Sequence, residues 1–231
     1  MSGRPAVVLL SGGLDSATAA AWALREGFRL AAIAIDYGQR HRVELECAAD
    51  VARHLGLEQF EVVPTAIGRF GGSALTDNEI DVPKGPPTGE IPVTYVPVRN
   101  LHFLTIAAAR AETLGATDLV IGANQVDYSG YPDCRRPFFD ALEATLNLGT
   151  KVGVEGRAWR IHTPLIDLTK PQIIELGLAC GVDYGLTSSC YDPLATGAPC
   201  GRCESCHIRL AAFAELGMDD PRVARMGQAP G

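Results

Sequence analysis

The sequence predicts a doubly wound α/β fold on a parallel sheet, with a small metal-binding segment near the C-terminal end. Two observations carry the first half of that expectation. Short apolar runs alternate with segments of helical period along the first two-thirds of the 231-residue chain, the rhythm of right-handed βαβ units. Polar and glycine-containing stretches follow those runs, where ligands of open parallel sheets bind. The second half rests on four cysteines between positions 190 and 206.

Taken in order, Ala6 to Leu10 is a continuous apolar run and reads as a strand covered on both faces. A helix from Asp15 to about Glu26 stops at Gly27, and Leu30 to Ile35 is a second buried strand. From about Gln39 to Leu55, residues Val43, Cys47, Ala48, Val51, Ala52 and Leu55 share one helical face, which makes Cys47 a core residue. Gln59 to Val63 is the third strand. Arg99 to Leu114 is predicted helical, Asp118 to Ile121 a strand, Phe138 to Leu148 a helix and Arg160 to Pro164 a strand. Thr169-Lys170-Pro171-Gln172 has the form of a capping box opening a helix to about Ala179. Pro64 to Pro97 breaks the rhythm, rich in proline and glycine without a period. It reads as a functional lid or as a floppy surface insertion.

Bulk properties narrow the function. The chain is 47% hydrophobic, with a net charge of −7 and a pI near 5.2. That acidity argues against a dedicated nucleic-acid or membrane-surface binder, which needs a basic face. No run reaches the roughly 18 apolar residues of a membrane span. The first apolar stretch is cut off by glycines and Asp15, unlike a signal peptide. Seven cysteines without an export signal read as metal ligands and buried thiols, and the expected compartment is the cytoplasm.

Ser11-Gly12-Gly13-Leu14-Asp15-Ser16 lies between the first strand and the first helix. Its glycines let backbone approach a ligand, and the helix start offers N–H groups and a dipole to an anion. Neither G-x-x-x-x-G-K-[ST] nor G-x-G-x-x-G occurs in the chain. The plainer alternative is a tight turn capped by Asp15 or Ser16. Cys190, Cys200, Cys203 and Cys206 form a C-x9-C-x2-C-x2-C set. Four thiolates with no vacant position fit structural zinc, ahead of an iron–sulfur cluster or redox disulfides. Arg202 and Arg209 are placed to offset the negative charge of such a site.

The hexapeptide resembles the pyrophosphate loop of the N-type ATP pyrophosphatases, which have an adenine nucleotide alpha-hydrolase-like, Rossmann-like fold. The resemblance implies that a substrate oxygen attacks the α-phosphorus of ATP, AMP is transferred and pyrophosphate leaves with Mg2+ sharing its charge. It implies a nucleotide site over Leu10, Ser11, Gly12, Gly13, Leu14, Asp15, Ser16, Ala17 and Thr18, joined by Asp36 and Tyr37. Ser11, Asp15 and Ser16 are its catalytic members.

Further segments sharpen the resemblance over nearly the whole chain. They are Asp36-Tyr37-Gly38-Gln39-Arg40-His41, Ser73-Ala74-Leu75-Thr76-Asp77, Thr94-Tyr95-Val96-Pro97-Val98-Arg99-Asn100, Gly122-Ala123-Asn124, the run Asp127 to Arg135, and Thr163-Pro164-Leu165. With the hexapeptide and the four cysteines, this order is similar to the 7-cyano-7-deazaguanine synthases of queuosine-precursor biosynthesis. Val98 departs from it, where the family more often has alanine. The resemblance implies 7-carboxy-7-deazaguanine, ammonia and two ATP as substrates, and a homodimer. Arg99, Asn100, Asn124, Asp127, Tyr128, Tyr131 and Asp133 are then the expected substrate residues, tyrosine faces for the ring and polar groups for its edge. Residues 1–180 would form the nucleotide domain, with 64–97 a lid-like loop, and 181–231 the zinc segment. The rivals are a tRNA thiolation enzyme of the same superfamily and a zinc-stabilised module that binds nucleotides without catalysis.

Overall fold

The computed structural model describes residues 3–86, 91–124 and 131–226. Five parallel strands form one sheet in the order β3-β2-β1-β4-β5. They are β1 (Arg4–Leu9), β2 (Phe28–Asp36), β3 (Gln59–Pro64), β4 (Asp118–Val120) and β5 (Arg160–His162). The chain winds outward one way through β2 and β3, then returns to the other side of β1 for β4 and β5. The crevice at this reversal, beyond the ends of β1 and β4, is where such sheets bind ligands.

Each strand face has its own core, as the continuous apolar runs demand. Ala6 and Val8 of β1 pack with α1 (Leu14–Arg25), α2 (Val43–His54) and α6 (Lys170–Ala179). Val7 and Leu9 face the opposite layer, α3 (Arg99–Thr113), α4 (Arg136–Gly149) and the short α5 (Lys151–Val154). The helix at Thr169 opens as expected, with both halves of the Thr169/Gln172 capping box formed. The C-terminal stretch adds two helices that the sequence reading did not anticipate, α7 (Glu204–Glu215) and α8 (Pro221–Met226). Phe213 of α7 is buried against Tyr184, whose hydroxyl meets Thr18 Oγ1 at 2.7 Å, so this stretch shares the core of α1.

One boundary moved for an identifiable reason. Helix α2 starts at Val43 rather than Gln39, because the intervening residues serve as tethers. Gln39 Oε1 accepts the Tyr37 N–H at 2.9 Å, and Arg40 donates to Ala74 O, Ile80 O and both the side chain and carbonyl of Asn78. Strand β5 ends at His162 instead of Pro164.

The long loop is not a floppy insertion where it is described. Ser73 and Ala74 are fully buried, Ala74 and Val82 pack on the four cysteines, and Lys84 pairs with Asp192. At its end, Val98 takes a left-handed conformation with φ 63°, a strained choice for a β-branched residue. That turn sets the direction in which α3 begins at Arg99.

Candidate active site and metal centre

The hexapeptide fills the turn from β1 into α1. Gly12 has φ 81°, and a Cβ there would lie 2.2 Å from the Glu44 carbonyl oxygen, so only glycine lets α2 back onto the loop. Gly122 is equally confined, because its Cβ would stand 2.6 Å from the Asp15 backbone. No side chain caps α1. The Ser16 hydroxyl donates to Gly13 O at 3.0 Å and accepts from the Ser11 hydroxyl at 3.0 Å. Asp15 instead meets Lys170 Nζ at 2.9 and 3.0 Å. The capped-turn alternative is therefore not what these residues form, and the first-turn N–H groups keep their open donors.

A cavity of about 280 Å³ opens beside this loop. Ser11, Gly13, Leu14, Asp15 and Ser16 line one wall, and Tyr37, Arg99, Asn100, Asn124 and Tyr131 line others. Sequence-predicted residues from five separate segments thus converge. The Arg99 guanidinium lies 5.5 Å over the Tyr131 ring, and Tyr131 shares its hydroxyl with Thr94 at 2.9 Å. Asn124 is held by the Leu165 and Leu168 carbonyls. Burial raises the Tyr37 phenol well above its usual range, with Glu44 adding to the effect, so this hydroxyl keeps its proton.

Other expected residues lie elsewhere. Leu10, Ala17 and Thr18 are core side chains, and Gly12 faces α2 rather than the cavity. Asp36 sits outside the lining and pairs with Arg42 at 2.9 Å. The Asp133 carboxylate accepts the Asn100 N–H at 3.0 Å and so serves the start of α3. Asp127 and Tyr128 lie outside the described residues.

Four cysteine sulfurs lie within 4.8 Å of one another, and all four side chains are buried. Cys190–Cys203 and Cys200–Cys206 are 3.9 and 4.0 Å apart. A tetrahedron with zinc–sulfur bonds of about 2.3 Å has sulfur edges of about 3.8 Å, whereas a disulfide needs about 2.05 Å. The donors therefore fit a metal ion and exclude disulfides in this arrangement. Backbone N–H groups of Cys200 and Cys203 point at Cys190 and Cys200 sulfurs at 3.2 and 3.3 Å, bonds that favour thiolates as metal ligands. Arg209 is not left to balance the metal's charge. It forms a buried bidentate pair with Asp220 at 2.8 Å through both oxygens.

The metal centre and the cavity share a wall. Ser189 and Tyr191 flank Cys190, Ser205 precedes Cys206, and all three line the cavity.

Residues 5–217 match the family model described as queuosine biosynthesis protein QueC. The chain belongs to the QueC family. It is 56% identical over 221 residues to a 7-cyano-7-deazaguanine synthase of Azotobacter vinelandii, covering 96% of this chain and 98% of that one. It is also 56% identical to a 7-cyano-7-deazaguanine synthase of Paramagnetospirillum magneticum, over 94% and 97% of the two chains. A solved structure from Methanocaldococcus jannaschii, titled as a predicted subunit of tRNA methyltransferase, matches 76% of each chain with TM-score 0.51 and 18% identity. That likeness concerns the fold.

Reading this QueC chain by motif missed several cavity residues, and two of them carry a signal in the sequence. Glu44 occupies the same helical face as Cys47, Ala48 and Val51, so a carboxylate interrupts the buried stripe of α2. Lys170 is a cation in the first turn of α6, the end where the dipole disfavours one unless an anion lies near. Cys134 ends a short 3-10 turn within the singled-out run Asp127 to Arg135, where sequence reading assigned it no role. Ser188 and Tyr191 carry no comparable local mark and reach the cavity from loops whose course only the packing decides.

Proposed function

We propose that this chain converts 7-carboxy-7-deazaguanine and ammonia into 7-cyano-7-deazaguanine, using ATP twice at one site. The names of its relatives support the reaction, and the convergence of the Ser11–Ser16 loop with Arg99 and Tyr131 on one cavity supports the chemistry. The Ser11 hydroxyl, the α1 N-terminus and Lys170 are the groups to hold the phosphates that leave as pyrophosphate. Asp15 is the group to hold Mg2+, which would share the charge of the leaving group. Arg99 is the partner for the substrate carboxylate and Tyr131 offers a face to the fused ring.

A carboxylate becomes an electrophile only once its oxygen belongs to a leaving group. AMP is attached first, and ammonia displaces it to give the amide. Adenylation of the amide oxygen and loss of AMP then give the nitrile. The four cysteines hold a structural zinc that braces the Ser189–Tyr191 wall. We place the enzyme in the cytoplasm as a homodimer, the latter on family resemblance alone. Among the described residues no helix is long and apolar enough to cross a membrane. Both relatives named above are 7-cyano-7-deazaguanine synthases, which favours this reading over the thiolation and non-catalytic ones.

Purified protein supplied with the acid, ammonia and ATP tests the proposal. Nitrile, AMP and pyrophosphate are the expected products. ADP with phosphate, or no nitrile at all, would contradict it.

A further inference from the structure

Two carboxylates line the cavity among the described residues, and their surroundings differ. Asp15 is held by the Lys170 ammonium. Glu44 enters from the first turn of α2, and no hydrogen bond or ion pair holds its carboxylate among the described residues. Its backbone is fixed, because the Glu44 carbonyl packs against Gly12 of the phosphate-facing loop. The side chain therefore stands at a set depth beside the loop, with Tyr37 and Arg99 as neighbours.

Resting on the proposed reaction, we infer that Glu44 is the general base that takes protons from the substrate nitrogen. In the first step ammonia forms a C–N bond to the acyl adenylate, the C–O bond to AMP breaks, and one N–H proton passes to Glu44. Adenylation of the amide oxygen leaves a protonated imidate, whose first N–H proton passes through Glu44 to water. The neutral imidate then gives its remaining N–H proton to Glu44 as its C–O bond to AMP breaks and the nitrile forms. Between steps the carboxyl returns its proton to water.

The other groups on the wall are less suited. Burial, with Asp133 beside it, pushes the Cys134 thiol up to about 11. The Tyr37 and Tyr191 phenols are raised by burial and stay protonated. No histidine lines the cavity among the described residues. Burial pushes the Glu44 carboxyl up to about 7, against the Arg99 charge that pulls it down. A base poised near neutrality both accepts and releases protons at working pH. The titratable and charged groups around it are Tyr37 from the end of β2, Arg99 from α3, Cys47 on its own helix, and Asp15 with Lys170 across the cavity.

The test is Glu44→Gln, with Glu44→Asp beside it and thermal melting to verify folding. Pyrophosphate–ATP exchange with the acid alone requires adenylation but no N–H removal. Nitrile formation from acid plus ammonia, or from the amide, requires both. Glu44→Gln is expected to lower both nitrile-forming rates about 100-fold or more, with exchange held within a few-fold. The wild-type rate should fall as pH drops through about 7 and the Gln variant should lose that limb, while Asp restores part of the rate. Nitrile formation within a few-fold of wild type, or exchange lost in proportion, overturns the inference. Wild-type protein that forms no nitrile would instead defeat the proposed reaction itself.

Discussion

Asp15 and Lys170 pair on the cavity wall, with 31% and 14% of their side chains exposed. A pair so placed contributes about 1 kcal/mol or less to folding, whereas the proposed reaction uses its charges to hold pyrophosphate and Mg2+. Asp15→Ala and Ser11→Ala should therefore cut turnover about 100- to 1,000-fold with little change in melting temperature. Near-normal turnover in both would reduce the hexapeptide to a turn. Glu44 should behave in the opposite sense for stability. Its folded pKa is raised, so folding is penalised as pH rises from about 4.5 through about 7. Glu44→Gln should be more stable than wild type at pH 8, by about 3 kcal/mol, and no more stable than it at pH 4. A gain that does not depend on pH would show that the buried charge is not its cause.

Among the elements, those with a strong period were legible and those shaped by side-chain tethers were not. Strands β1 and β2 are apolar on both faces and the α6 capping box is local, so residue types alone mark them. The start of α2 could not be read, since the Gln39 and Arg40 side chains turn to the backbone of Tyr37 and of the long loop. That loop carries no period because its order comes from the cysteine cluster it packs on. The four ligands were legible by spacing, while their common wall with the cavity was not. Cys190→Ser or Cys203→Ser should then yield insoluble or unfolded protein. Structural zinc contributes ~10–16 kcal/mol in small peptides, against ~5–15 kcal/mol for a whole domain. Elemental analysis of wild type should find about one zinc per chain. Iron with a visible charge-transfer band would replace zinc by a cluster.

Across the whole molecule, a sheet that reverses direction beside β1 leaves one crevice, and loops from both halves of the chain meet there. The hexapeptide, the Arg99 helix and the stretch flanking Cys190 are far apart in sequence, so their meeting follows from topology rather than from any local pattern. Chain-wide resemblance made the function legible before the cavity was visible. Glu44 and Lys170 became recognisable only with the walls in place. One adenylating site acts twice in the proposed reaction, and the chain carries one Ser-Gly-Gly-Leu-Asp-Ser loop to serve it. The most direct test supplies 7-amido-7-deazaguanine and ATP without ammonia. The expected products are the nitrile with one AMP and one pyrophosphate per turnover. An amide that stays inert while the acid is converted in the presence of ammonia would contradict it.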